Sequence, residues 1–186
     1  MGRLLFGMMT SLDGYINDIH GGFDWGQVSE EVHRFAEAEE ARTGTMIYGR
    51  RMFETMKVWD GLEDDDGVSQ VERDYAALWR RLDKIVVSST LPEVTTVRTT
   101  LMRDLSGEDV VRLKAGSEKD ISVSGATLGS SLLRQGLVDE VGLYLIPVAV
   151  GQGTPMFQVG ELTRFERKQV RAFENGVVFM RFGVVH

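Results

Sequence analysis

Three short stretches of this sequence bring together residue types that bind phosphate. Gly49-Arg50-Arg51 puts a flexible residue and two cations where a strand runs into a helix. Backbone N–H groups and the helix dipole favour an anion there, and the guanidinium fork suits phosphate geometry. Ser88-Ser89-Thr90 supplies three hydroxyls able to bond a phosphate or a ribose. Ser124-Gly125-Ala126-Thr127 consists of small residues that let a pyrophosphate approach the backbone. Each stretch also has an ordinary structural use: a solvated helix start for the arginines, a capped turn for the hydroxyls, close helix–strand packing for the small residues. Together they fit an adenine dinucleotide lying across the strand ends. Their spacing is not the Gly-x-Gly-x-x-Gly of a Rossmann unit, so the layout is a different one.

Carboxylates offer proton chemistry. Asp13 is positioned to donate a proton, or else, with Gly14, to close a tight turn by accepting from backbone N–H groups. The run Glu63-Asp64-Asp65-Asp66 lacks the alternating ligand spacing of a calcium loop and reads as a solvated loop. Cysteine is absent and the three histidines, His20, His33 and His186, are scattered. Thiolate nucleophiles, disulfides and Cys- or His-rich metal sites are thereby excluded, and no metal is expected.

The elements that must position these residues follow from apolar periodicity. Arg3–Met9 reads as a central strand and Asp13–Trp25 as a loop. Ser29 caps a helix to about Arg42, with Val32, Phe35, Ala36 and Glu39/Glu40 at helical spacing. Thr45–Tyr48 is a strand leading directly into a helix that ends near Lys57. Ser69 with Glu72 makes a capping box for the next helix. Strands follow at Lys84–Ser88, Val94–Val97 and Ile121–Ser124, with a short helix opening at Ser106. Gly125 leads into a helix over Thr127–Gln135, closed by Gly136. Val138–Val150 reads as one long strand, bulged or at an edge because it contains Pro147. Strands over Thr163–Phe173 and Val177–Val185 are joined across Asn175-Gly176, a strong hairpin signal. Alternating strands and helices ending in a hairpin predict an α/β mixed sheet in a single domain over residues 1–186.

Composition is that of a globular protein, 42% hydrophobic and 26% charged, which excludes disorder, collagen and coiled coil. The net charge of −7 argues against nucleic acid or an anionic membrane as the main partner. No stretch reads as a signal peptide or a membrane span, so a cytoplasmic location is expected.

The ordered motifs resemble the dihydrofolate reductase superfamily, closest to single-domain relatives of the reductase (C-terminal) half of the riboflavin-biosynthesis protein RibD. The resemblance is carried by Thr10-Ser11-Leu12-Asp13-Gly14-Tyr15-Ile16, Gly22-Phe23-Asp24-Trp25, Met46-Ile47-Tyr48-Gly49-Arg50-Arg51 and Lys84 through Pro92. It continues through Val123-Ser124-Gly125-Ala126-Thr127-Leu128, Gly136 through Val141, and Pro147-Val148 to Gly151-Gln152-Gly153-Thr154-Pro155-Met156-Phe157. It implies an NADPH-binding reductase fold, usually homodimeric in that branch.

Position by position, the backbone of Met9 and Thr10 resembles the strand edge that holds the nicotinamide carboxamide, and Trp25 an aromatic on the loop beside it. Gly49, Arg50, Arg51 and Met52 match the helix start that grips the phosphates. Ser88 and Ser89 match the segment beside the adenosine 2′-phosphate. Gly125, Ala126, Thr127, Leu128, Gly129 and Ser130 match the pyrophosphate turn. Met52 stands where the family usually has a hydroxyl, and Ser124 where it has the first glycine of a Gly-Gly pair, a peptide that is cis in dihydrofolate reductases. Glu30, by register on Trp25, or Glu31, by register on Phe35, matches the carboxylate that binds a pterin. Ile146 stands at the supporting threonine, which weakens a folate substrate. The resemblance thus implies a reductase transferring hydride from NADPH to a C=N or C=O carbon of a small heterocycle. A substrate like that of 5-amino-6-(5-phosphoribosylamino)uracil reductase fits, with dihydrofolate reductase activity or a non-catalytic NADPH-binding module as alternatives. Glu30 and Asp13 are the candidate catalytic residues.

Overall fold

The computed structural model describes residues 1–26 and 28–185, so His186 lies outside the described residues. The chain opens with β1 (Leu4–Ser11) and β2 (Tyr15–Asp18), then α1 (Glu30–Glu40), β3 (Thr43–Gly49) and α2 (Arg50–Met56). Next come α3 (Gln70–Arg81), β4 (Asp83–Val87), β5 (Thr99–Met102), α4 (Gly107–Gly116), β6 (Asp120–Ser124) and α5 (Ala126–Arg134). It closes with β7 (Glu140–Ile146), β8 (Gly153–Pro155), β9 (Arg164–Ala172) and β10 (Val178–Val185).

Eight strands form one mixed sheet in the order β5-β4-β3-β6-β1-β7-β10-β9. The six strands from β5 to β7 are parallel, and the β9–β10 hairpin adds antiparallel strands beside β7. Side chains alternate between the two faces. On one face Phe6, Ile47, Val123 and Val141 pack against Val110 of α4 and Leu132 and Leu133 of α5. On the other, Met46, Tyr48 and Val86 meet Tyr75, Leu78 and Trp79 of α3, while Ile146 and Phe179 meet Val32 of α1. Full burial of such side chains contributes roughly 1.5–3 kcal/mol each.

The serine caps form as the sequence predicts. Ser29, Ser69 and Ser106 each accept from a first-turn N–H, the latter two in capping boxes with Glu72 and Asp109. At the other end of α3, buried Lys84 donates from Nζ to the carbonyls of Trp79 and Leu82, at 2.8 Å each. Its ammonium also lies 4.1 Å from the Trp79 ring centroid. Burial lowers this lysine to a pKa of about 8.

Three expectations are corrected. β7 ends at Ile146, before Pro147, and lies inside the sheet between β1 and β10. The apolar run continues past the proline, but the ladder cannot, because proline has no N–H to donate. Val94–Val97 is irregular and the strand forms at Thr99–Met102, after Arg98 reverses the chain at φ +52°. The Asp13–Trp25 loop contains β2, which pairs with β8 in a separate two-stranded sheet. The acidic run joins ordinary contacts: Glu63 pairs with Arg80, and Asp65 accepts from Gly67 N–H at 2.7 Å. Among the described residues, no helix is long and apolar enough to cross a membrane, and no cluster of three acidic, His or Cys side chains could hold a metal.

Candidate functional site

The carboxyl ends of β3 and β6 lie side by side, with Tyr48 in register with Ser124. The next residues, Gly49 and Gly125, therefore start α2 and α5 next to each other. Neither helix has a side-chain cap. Their first-turn N–H groups are left to solvent or to an incoming acceptor. Gly125 sits at φ +107°, a backbone that L side chains rarely adopt, and a Cβ there would lie 3.4 Å from Met52 Cβ. Above this edge opens a cleft of about 2400 Å³.

Met9, Trp25, Gly49, Arg50, Arg51, Met52, Gly125, Ala126, Thr127 and Leu128 all line the cleft. Arg50 is braced there, donating to Glu54 at 2.8 Å and to Thr90 Oγ1 at 3.0 Å. Trp25 and Met9 pack against the same apolar cluster, and Trp25 Nε1 is buried without a hydrogen-bond partner among the described residues. Glu30 reaches the cleft but is paired with Arg34 at 2.8 Å and mostly exposed. Glu31 pairs instead with Arg171 at 3.0 Å.

Other expected residues do not join the lining. Thr10 is buried within β1. Ser88 Oγ accepts from the N–H groups of Thr90 and Leu91, so it caps the turn, while Ser89 is exposed beside it. Ser130 is fully buried, donating to the Met156 carbonyl and accepting from Gln158 N–H, each at 2.9 Å. Gly129 serves packing: a Cβ there would fall 2.2 Å from the Phe6 ring. The described peptide bonds include no cis form, so Ser124–Gly125 is trans.

Asp13 takes the turn role. Its carboxylate accepts from Ser11 Oγ at 2.6 Å, Gly151 N–H at 2.8 Å and Val150 N–H at 3.2 Å. The Ser11 hydrogen bond, chiefly, lowers its pKa. It lies outside the cleft lining and ties the chain after β7 to the end of β1.

A second polar group went unread. At the end of α1, Glu40 accepts from Tyr75 Oη at 2.6 Å, and the Tyr48 hydroxyl beside it accepts from Trp79 Nε1 at 3.2 Å. Burial raises Glu40 to a pKa of about 7 against the opposing Tyr75 bond. His33 packs against both Trp59 and Tyr75, with ring centroids 5.7 Å and 5.3 Å away, and burial lowers its pKa. Glu40 repeats the spacing of Val32 and Ala36 at intervals of four. A carboxylate on the apolar stripe was the available signal.

A mixed sheet with a cleft across its parallel strand ends, edged by two uncapped helix starts, is an α/β domain with the dihydrofolate reductase fold. The chain belongs to the RibD C-terminal domain family, whose model matches residues 3–179. It is 29% identical over 178 residues to the uncharacterized protein YyaP of Bacillus subtilis (strain 168), covering 95% of this chain and 92% of that one. A putative riboflavin biosynthesis protein from Shewanella sp. PV-4 superimposes with a TM-score of 0.73 at 20% identity, each chain covered completely. Dihydrofolate reductase from Enterococcus faecalis, solved with NADP(H) and RAB-propyl, gives 0.67 at 13% identity, covering 100% of this chain and 98% of that one.

Proposed function

We propose that this protein is an NADPH-dependent reductase acting on a small heterocycle of the ribosylamino-pyrimidine kind, as in riboflavin biosynthesis. The observation that carries the reading is the contrast between helix starts. The starts of α1, α3 and α4 are capped by Ser29, Ser69 and Ser106, whereas those at Gly49 and Gly125 sit side by side on the cleft edge and lack a side-chain cap. The α5 start with its glycine suits a pyrophosphate, and the Enterococcus relative is solved with NADP(H).

Arg50 and Arg51 flank this turn, and Thr90 holds the Arg50 fork in place. Charge-assisted contacts from them would bind the 2′-phosphate in place of Ser88 and Ser89, which do not reach the cleft. Met9 and Trp25 would wall the nicotinamide and exclude water. The bound cofactor would supply the hydride, and the chain's part is positioning. Ile146 is buried and apolar, offering nothing to hydrogen-bond a pterin, so a non-folate heterocycle is favoured.

Calorimetry tests the assignment. NADPH should bind at least about tenfold tighter than NADH, roughly 1.4 kcal/mol. Equal affinities would remove the 2′-phosphate role of the arginines, and no binding of either would remove the reading. We also propose a two-fold homodimer.

A further inference from the structure

We propose that Glu40, held by Tyr75, is the recognition group of an inner subsite for a planar, positively charged N–H donor such as an amidinium or a protonated aminopyrimidine. The proposal deepens the reductase reading and rests on it for the molecule that is turned over. The binding step itself needs no cofactor.

The argument begins with charge. Along α1, Glu30, Glu31 and Glu39 each hold an arginine: Arg34, Arg171 and Arg181 respectively. Glu40 has no cationic partner among the described residues; its contact is the Tyr75 hydroxyl at 2.6 Å. Yet Glu40 is part of the cleft wall, together with Trp59, Tyr75 and Tyr144. A carboxylate taken out of water without a counter-charge is costly, and the cost falls when a cation arrives.

The surroundings select the cation. Trp59 and Tyr75 pack edge to face with ring centroids 4.7 Å apart. An aromatic-rich lining around a carboxylate favours a flat, weakly hydrated cation over a compact ammonium. An amidinium also presents two parallel N–H donors to one carboxylate. The subsite is distinct from Glu30, which stands at the opposite end of α1, about 15 Å away at 1.5 Å per residue.

The titratable groups facing Glu40 are Tyr75 from α3, Tyr48 from β3 and Tyr144 from β7, and burial, with the Glu40 charge adding to it, raises the pKa of all three. They stay neutral near pH 7, and so does His33 of α1, which packs on Tyr75 and whose pKa burial lowers, so Glu40 is the group that changes state there. Its pKa of about 7 makes binding of a permanent cation rise with pH.

Benzamidine, cationic throughout pH 5.5–8.5, is the probe, with neutral benzamide as its isostere. Binding is followed by calorimetry and Trp fluorescence. Wild-type affinity for benzamidine should rise at least about tenfold from pH 5.5 to 8.5, and benzamide should bind weakly with no pH trend. Glu40→Gln should lose about tenfold or more at pH 8.5 and flatten the profile. Tyr75→Phe, which removes the bond that lowers Glu40, should keep binding but move the midpoint to higher pH. A Glu40→Gln protein that binds like wild type overturns the proposal, as does a pH-independent wild type. If Glu40→Gln fails to fold, an unmoved midpoint in Tyr75→Phe overturns it alone. NADPH titration of the same samples separates the two readings. Failure of NADPH to bind beside an intact benzamidine profile removes the reductase and leaves the subsite, and the reverse result removes only the subsite.

Discussion

Gly125 carries two demands that a pair of substitutions can separate. Its φ of +107° strains any L side chain, whatever space is free. Gly125→Ala and Gly125→Asp should therefore both lower stability, by about 1 kcal/mol. Only the aspartate adds a negative charge at the α5 start. NADPH affinity should fall at least about tenfold further in Gly125→Asp than in Gly125→Ala. Equal losses in the two titrations would count against a phosphate at this turn. The strand-to-helix junctions at Gly125 and the Arg50-Arg51 pair were legible in the sequence because such junctions are local, set by the residues on either side. Ser130 was not, because the partners that occupy its hydroxyl, Met156 and Gln158, lie 26 and 28 residues away. Glu40 was hidden for the same reason: its meaning depends on Tyr75, 35 positions on.

At the scale of elements, α3 is closed in an unusual way, by a buried ammonium from the following strand. The folded protein holds the Lys84 proton less tightly, with a pKa of about 8 against 10.5 for an ordinary lysine. Between those values the unfolded chain binds more protons than the folded one, so stability should climb as pH rises. Urea midpoints at pH 7.5 and 9.5 check this. Wild type should gain relative to Lys84→Met, and a constant difference between them would refute it. The helix starts at Ser29, Ser69 and Ser106 were readable because a cap and its helix are neighbours in sequence. The small β2–β8 sheet was not, since each strand is short and its partner is remote. The overlong strand over Val138–Val150 came from weighting apolar residues above the N–H that Pro147 lacks.

For the whole molecule, the open question is what meets the sheet beyond β7. Leu143 faces Met180 and Leu145 faces Val178 in register, and Met180 in turn faces Val170. Val170 is 50% exposed and the other four only half-buried. Alternation places Tyr144 and Phe179 on the opposite face, under α1. An apolar patch of this kind fits a second copy related by a two-fold axis. Light scattering at micromolar concentration should give about twice 20.8 kDa, and Met180→Lys should halve that mass. A wild-type monomer would exclude the dimer. The sequence indicated a mixed sheet with a terminal hairpin, and that is what forms. Strand order was beyond it, because neighbours in the sheet are chosen by tertiary packing.

That order has a consequence for how the protein is made. β1 sits between β6 and β7, so it leaves the ribosome ahead of both and waits for partners that begin at Asp120 and Glu140. At about 5–20 residues per second the wait is on the order of 10 s. Until β6 emerges, the apolar stretch Leu4–Met9 has neither lateral neighbour in the sheet, and until β7 emerges it has only one. Nascent chains stalled before Ile146 should therefore be strong clients of holding chaperones, and release past that point should free them.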